Sequence, residues 1–390
     1  MPITVATAAL RSALNATAAA ATGRMLEQRL AHLTARAGTL TVHAGDALAS
    51  SVTATFPADT PDDTPRATAY APHRFLHEIA EHLTRIAPTA TLDLADENGI
   101  TLTAQHPNSA HAFTATIKRE LPPTTPDTPA DTPPAFTLDT TREALAALLE
   151  PQYAVSRQAW DTTLGGMYLD GQANAITLVG TDGNRLALAT TDLPDQDASG
   201  ITGRALAREH ARAIRHALEH AGGDRVRVSV NATLSHLTAA TAGDTPLVSV
   251  TVPLREAAAF PKYQRILPPP DERTTIRVNR EALLAAVKRL KPLSLAGANA
   301  ITITAPENEP ELRLEVTSAN GEPATEVLPL DMGLSEEARV RVNAAYLADA
   351  LEHYRGEHVA WQLGPVTSVR PTDASADAGR LDVIAQLRQP

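Results

Sequence analysis

The sequence predicts an α+β fold of three similar domains, each built on antiparallel sheets. Three observations carry that expectation. Strand-to-helix segments recur at a nearly constant interval, alternating strand patterns outnumber helical ones, and proline-rich stretches fall where domains would be joined. At 390 residues the chain is long enough for two or three separate cores.

A short strand running into an Ala/Leu-rich helix opens the chain, as Ile3-Thr4-Val5 and then Ala9 to Leu14. The pattern returns as Phe136-Thr137-Leu138 with Ala144 to Leu149, and again as Ile276-Arg277-Val278 with Ala282 to Val287. Leu10, Leu145 and Leu283 are therefore 135 and 138 residues apart. A second helical unit lies between these, at Phe75 to Ile79, His210 to Ile214 and Tyr346 to Ala350. Its markers Leu76, Ala211 and Leu347 are 135 and 136 residues apart. Two independent series with one period imply three domains, each made of two half-repeats of a helix plus strands. Between the helices the chain alternates as strands do. Ala175 to Val179 and Arg185 to Ala189 flank Gly180-Thr181-Asp182-Gly183-Asn184, a hairpin turn signal. Arg225 to Val230 and Ala300 to Thr304 alternate likewise. The stretch 121–134 carries six prolines and reads as an extended tether, and Pro268-Pro269-Pro270 marks a second boundary. The expected domains are 1–121, 135–268 and 271–390.

Composition excludes several functions. There is no cysteine, hence no disulfide, thiol nucleophile or thiolate metal site. No apolar run approaches the roughly 18 residues that a membrane-spanning helix needs. The N-terminus lacks a basic start and a leucine-rich core, so a cytoplasmic location is expected. A net charge of −11 is unlike the usual footprint of nucleic-acid binding, but it says nothing of how the charges are distributed. His73 and His77, and His216 and His220, are one helical turn apart without a third ligand cluster. The His77 to His82 run misses the zinc-protease spacing by one residue. Asp195-Gln196-Asp197 imitates a calcium loop whose twelfth position is Leu206 rather than a glutamate. No phosphate-cradling loop, nucleophile elbow or acid/base pair stands out, and neither catalysis nor a cofactor is expected.

Three segments bear a family resemblance. Leu164-Gly165-Gly166-Met167 through Gly180-Thr181-Asp182-Gly183-Asn184-Arg185-Leu186-Ala187 resembles the middle-domain signature of bacterial DNA sliding clamps, the beta subunit of replicative DNA polymerase III. Phe260-Pro261-Lys262-Tyr263-Gln264-Arg265-Ile266-Leu267-Pro268 is similar to that family's Phe-Pro segment. Val342-Asn343-Ala344-Ala345-Tyr346-Leu347 resembles its third-domain helix start. The order matches too, and the likeness runs the length of the chain. The resemblance implies a head-to-tail homodimeric ring, helices lining the hole and sheets outside, that encircles double-stranded DNA without reading its sequence. It would act as a processivity factor, tethering a DNA polymerase and a clamp loader through short peptide motifs.

The resemblance also implies two surfaces. DNA-facing positions are Arg24, Arg74, Gln158, Arg208 and Arg212, with Arg11, Arg142, Arg215, Lys288 and Arg289 as further helix cations. The loop Asp161-Thr162-Thr163 lacks the bulky or basic groups several relatives place there. The peptide pocket would take Leu164, Thr181, Gly183, Asn184, Arg185 and Leu186, then Pro261, Arg265 and Ile266. It would be completed by Asn343, Tyr346, Ser368, Val383, Ile384, Ala385, Leu387 and Arg388. Phe113 and Leu293 fall near interface positions at opposite ends of the chain. There are departures as well. Ala385 and Gln386 stand where the family typically has Met-Pro, and Asn184 replaces a large residue. An alternative is therefore a specialised clamp paralogue with an altered partner or inhibitor pocket.

Overall fold

The computed structural model describes residues 2–21, 29–45, 50–60, 66–95, 99–108, 111–120, 133–158, 163–243, 247–269, 274–296, 299–318, 320–364, 366–372 and 379–387. Among them, one pattern of a strand, a helix and three strands occurs six times. The first is β1 (Pro2–Ala6), α1 (Thr7–Ala18), β2 (Leu30–Arg36), β3 (Thr39–Gly45) and β4 (Ser51–Asp59). The second is β5 (Ala67–Pro72), α2 (His73–Ile86), β6 (Thr89–Asp93), β7 (Ile100–Gln105) and β8 (Ala112–Ile117). The third is β9 (Phe136–Thr141), α3 (Arg142–Leu148), β10 (Gly166–Gln172), β11 (Ala175–Thr181) and β12 (Arg185–Asp192). The fourth is β13 (Arg204–Ala207), α4 (Arg208–Glu219), β14 (Arg225–Val230), β15 (His236–Thr241) and β16 (Leu247–Glu256). The fifth is β17 (Thr275–Asn279), α5 (Arg280–Leu290), β18 (Ala300–Ala305), β19 (Glu311–Thr317) and β20 (Pro323–Pro329). The sixth is β21 (Ala338–Asn343), α6 (Ala344–Glu352), β22 (His358–Gln362), β23 (Thr367–Pro371) and β24 (Arg380–Ile384). The fold is α+β with antiparallel strand ladders, among them β1 with β6, β4 with β16 and β12 with β24.

The chain forms two compact units. Unit one comprises Met1–Ala146 and Glu209–Arg255, and unit two Ala147–Arg208 and Glu256–Pro390. In unit one, eight strands run in the order β5-β2-β3-β4-β16-β15-β14-β9. Its central join pairs Leu247 with Thr55 and Thr251 with Ser51. A second ladder, β1-β6-β7-β8, touches β4 through Thr4 and Val5 and ends on β8, which has no further strand partner among the described residues. Period-two alternation turns Leu33, Leu40, Val42 and Val52 inward. α1 and α2 cover that core with Leu10, Ala13 and Leu14, and with Leu76, Ala80 and Leu83, at the spacings of three and four that put residues on one helix face. α1 also meets α4: Ser12 Oγ donates to the His220 carbonyl at 2.7 Å, and a His216 ring nitrogen lies 3.1 Å from the Asn15 carbonyl.

Unit two repeats this plan. Its eight-stranded sheet runs β13-β10-β11-β12-β24-β23-β22-β17, joined where Arg185 pairs with Ile384 and Ala189 with Arg380. A four-stranded sheet, β20-β19-β18-β21, ends on β20. Leu283, Val287, Leu347, Leu351, Trp361 and Ile384 lie in its largest core cluster.

A recurring device ties each helix pair. The first residue of the odd-numbered helix satisfies carbonyls at or just past the end of the even-numbered one, where backbone acceptors would otherwise be orphaned. Thr7 Oγ1 donates to Ala87 O at 2.8 Å. Arg142 Nη1 donates to Leu218 O and Ala221 O at 3.2 Å, and Arg280 Nε to Gly356 O at 2.9 Å. Arg142, read from the sequence as a possible DNA-facing cation, is thus engaged in this bond. No helix among the described residues is long and apolar enough to cross a membrane.

His73 is buried at the base of α2, with Nε2 2.9 Å from Thr17 Oγ1. Burial, reinforced by neighbouring His77, lowers its pKa to about 4. A histidine with a depressed folded pKa stabilises the fold fully above its unfolded value near 6.5, and that contribution is lost as pH falls toward 4. We expect urea stability to drop by on the order of 3 kcal/mol from this group between those pH values. His73→Gln should flatten the pH dependence, and an unchanged slope in that variant would contradict the assignment.

Candidate functional site

Unit two carries most of the residues expected to form a peptide pocket, on the hairpin between β11 and β12, the segment 260–268, α6 and the end of β24. The hairpin is fixed by its own side chains. Asp182 Oδ1 accepts from the amides of Asn184 and Arg185 at 3.0 and 3.1 Å. Thr181 Oγ1 donates to the Arg185 carbonyl at 2.6 Å and accepts from the Gly183 amide at 3.2 Å. Gly183 sits at φ +89°, a left-handed conformation that favours glycine. The hairpin is stapled to the end of the chain by the Ala385 amide, which donates to Asn184 O at 2.9 Å.

Arg185 is the electrostatic centre, only 8% exposed. Its Nε donates to Asp182 Oδ2 at 3.0 Å, Nη1 to Asp349 Oδ2 at 2.7 Å and Nη2 to the Tyr153 carbonyl at 3.1 Å. Its guanidinium lies 4.6 Å from the ring centre of Tyr346 and 5.4 Å from that of Tyr153. Two carboxylates and two ring faces thus fix a buried cation in one orientation. On the other face of β12, where Leu186 pairs with Val383, lies an apolar cluster of Val179, Leu186, Leu188, Phe260, Tyr263, Leu381 and Val383, with Leu164 and Leu267 packed against it. On its rim Pro261, Asn184 and Arg265 are exposed, and Ile266 is 49% exposed.

The fold brings Leu164, Leu186 and Val383 together, and Asn184, Arg185 and Tyr346. It does not bring all the expected residues to one surface. Ile384 follows Val383 on a strand, so it turns to the opposite face and joins the core under α5 and α6. Ser368 is fully buried in β23, and its hydroxyl has no hydrogen-bond partner among the described residues. Asn343 caps α6, accepting from the amides of Ala345 and Tyr346 at 2.9 and 3.3 Å. Leu387 is half-buried, its amide donating to Arg341 O at 2.7 Å. Arg388 and the loop residues Asp161 and Thr162 lie outside the described residues.

Of the expected DNA-facing residues, Arg74 in unit one is highly exposed and pairs with Glu78 at 2.9 Å, an exposed contact that restrains it little. Arg212 is exposed on α4. Gln158 is exposed in unit two, and Arg208 is half-buried. Lys288 and Arg289 pair with Glu352 and Glu326 at 2.7 and 2.6 Å. Arg24 lies outside the described residues. Phe113 is half-buried on β8, and Leu293 is 44% exposed in the turn after α5.

No family model matches the chain. In sequence it is similar to the beta sliding clamp of Haemophilus influenzae, 28% identical over 213 residues, which cover 54% of each chain. To the beta sliding clamp of Caulobacter vibrioides it is 25% identical over 253 residues, 64% of each. The matched stretches span between half and two thirds of these curated relatives. In structure the DNA polymerase III beta subunit of Thermotoga maritima superposes at a TM-score of 0.81 and 19% identity, over 100% of both chains. The fold is that of a beta sliding clamp. A Pseudomonas aeruginosa sliding clamp solved with griselimycin bound matches it equally, at a TM-score of 0.82, 19% identity and full coverage.

Within this clamp fold the sequence reading missed a buried polar network behind Arg185. The hydroxyl of Tyr153 donates to Asp382, and the Tyr153 ring stacks on His353 at 4.1 Å. His353 Nδ1 meets Glu150 Oε1 at 2.8 Å. Burial, reinforced by Glu150, holds the Asp382 carboxyl well above the usual carboxylate range. Arg380 Nη2 lies 3.7 Å from Oδ2, an ion-pair contact too long for a hydrogen bond. Asp349 was legible, because it lies three residues after Tyr346 on one helix and therefore on the same face. Tyr153 and Asp382 are 229 residues apart, and no local pattern links them.

Two outcomes follow from this chemistry. Because Asp382 takes up a proton on folding, its contribution to stability falls as pH rises above about 4. Asp382→Asn should leave the urea midpoint at pH 7.5 unchanged or higher, and a clear loss would show an ionised, paired carboxylate instead. Arg185→Ala leaves Asp349 and Asp182 without their cation and should destabilise the protein by about 3 kcal/mol in the same assay. A change under about 0.5 kcal/mol, the level of an ordinary surface substitution, would place Arg185 outside the network.

Proposed function

We propose that this protein is a DNA polymerase processivity factor: a head-to-tail homodimeric ring that encircles duplex DNA and tethers motif-bearing partners. The observation that carries the reading is a mismatch between whole and half sheets. Twice, a four-strand set ending on β4 or β12 meets a set beginning with β16 or β24. By position in the repeat, β20 is the counterpart of β4 and β12, and β8 of β16 and β24. Among the described residues, β8 and β20 lack the join that their counterparts make. A second copy that pairs its β8 with β20 would build a third eight-stranded sheet of the same order. Two such junctions close a ring and leave neither β8 nor β20 unpaired.

The three-domain division at 1–121, 135–268 and 271–390 belongs to this reading, with Phe113 and Leu293 at the junction. Arg24, Arg74, Gln158, Arg208 and Arg212 would touch phosphates rather than base edges, as a sliding protein requires. The site around Arg185, Leu186, Leu164, Tyr346 and Val383 is proposed to take the apolar peptide motif, with Pro261, Arg265 and Ile266 as one wall. Thr181, Gly183, Asn343, Ser368, Ile384, Ala385, Leu387 and Arg388 support or border it. Within this reading the protein is not an enzyme and works in the cytoplasm. A second reading, a specialised clamp paralogue with altered partner or inhibitor preference, is favoured by Ala385 and Gln386 at positions where relatives typically carry Met-Pro.

Light scattering should give a mass twice 41.2 kDa, and Phe113→Asp or Leu293→Asp should halve it. A monomeric wild type would refute the ring. Titration with a fluorescent polymerase-motif peptide separates the two readings: submicromolar binding supports the processivity clamp, and a dimer that ignores the peptide supports the paralogue. Protein loaded on nicked circular DNA should survive high salt, which breaks phosphate contacts, and should be lost when the circle is linearised. Equal salt-driven loss from circle and line would rule out encirclement.

A further inference from the structure

We propose that Asp170 is a positioning residue for the peptide site, anchoring from β10 the segment 260–268 that forms one wall. The inference rests on the peptide-site reading and deepens it. Arg265 and Ile266 are carried on a single 3₁₀ turn, Tyr263–Ile266, and Pro261 lies two residues before it; the turn has no strand ladder of its own. Among the described residues its backbone bonds are local: Phe260 N to Ala257 O, Tyr263 N to Pro261 O and Arg265 N to Lys262 O. Such a turn has little intrinsic rigidity.

What fixes it comes from two side chains on one face of β10. Tyr168 and Asp170 are two residues apart and therefore point the same way. Tyr168 stacks on Phe260 at 4.7 Å and 11°. Asp170 Oδ2 accepts from the Tyr263 hydroxyl at 2.6 Å and from Gln264 Nε2 at 3.0 Å. Tyr263 and Asp170 are 5% and 7% exposed, so this bond is sheltered from water. Burial and the Asp170 carboxylate push the Tyr263 phenol well above its ordinary pKa, which keeps it a donor at any working pH. Further along, Arg370 Nη2 holds Pro268 O and Gln362 Nε2 holds Pro269 O, both at 3.0 Å. Phe260 and Tyr263 point inward, while Pro261, Arg265 and Ile266 remain exposed between the two anchors. A wall pinned this way is ready for its ligand before the ligand arrives, which is where preorganisation adds affinity.

The test combines peptide dissociation kinetics, using the same fluorescent motif peptide, with amide hydrogen exchange on the full-length protein. Tyr263→Phe and Asp170→Ala should weaken the peptide on the order of tenfold, mainly through faster dissociation, with faster exchange confined to 260–268. Asp170→Asn keeps an acceptor for the phenol and should retain most of the affinity. If Asp170→Ala does not fold, Tyr263→Phe alone decides. Wild-type affinity in Tyr263→Phe, or accelerated exchange throughout β10–β13, would overturn the positioning role. Failure of the wild type to bind the peptide would instead refute the peptide-site reading, while the exchange data would still show whether Asp170 holds the segment.

Discussion

Backbone N–H and C=O groups at the rim of a sheet point outward, and they are satisfied either by another strand or by water. Much of this molecule is organised by how its strands meet that constraint. In unit one β4 accepts β16, and in unit two β12 accepts β24, so two four-strand sets become one eight-strand sheet each time. The helices depend on those joins. α1 and α2 bury their apolar faces on one side of unit one, and α5 and α6 bury theirs in unit two. The carbonyl bonds made by Thr7, Arg142 and Arg280 then tie each odd helix to the end of its even neighbour.

The candidate site follows from the join in unit two. Pairing β12 with β24 brings Leu186 opposite Val383 and sets Arg185 against Ile384. Leu186 and Val383, nearly 200 positions apart, thereby share one face of the sheet, and Arg185 and Ile384 the other. The same pairing buries Asp382 and Arg380, whose polar groups must be met inside the protein. Tyr153, His353 and Glu150 form the network around them. Buried polar groups of this kind weaken a core if they are left unsatisfied, but they also define which of several packings is reached. Here they define the orientation of the cation that the site is built around.

Much of the fold was legible in the sequence because it depends on local periodicity. Leu10, Ala13 and Leu14, or Leu283, Ala286 and Val287, mark helix faces by spacing alone, and Thr181-Asp182-Gly183-Asn184 announces its own turn. The repeat gave the six-fold recurrence of strand, helix and strands. The site was legible only in part. Its hairpin and the α6 cap were readable, since Asp182 and Asn343 bond to amides within three residues. The resemblance sets Ile384 beside Val383, yet neighbours on a strand face opposite ways, so the two part to different cores. Ser368 shows a similar limit, because no local signal states that β23 is covered on both sides. Pairings such as Tyr153 with Asp382, or Asp170 with Tyr263, arise only after the sheet has formed.

In the proposed ring β8 of one copy meets β20 of the next, a contact between two different surfaces. If β8 and β20 of successive molecules meet at an angle that does not close, the same contacts would run on into an open filament. The sequence of β20 bears on that hazard. It begins at Pro323 and ends at Pro329, and neither residue has an amide hydrogen to donate. The stretch able to form a complete ladder is therefore limited to the five residues between them. A short, proline-bounded edge of this kind tolerates little sliding of register. It favours one alignment of a partner strand and denies a long template to unrelated chains.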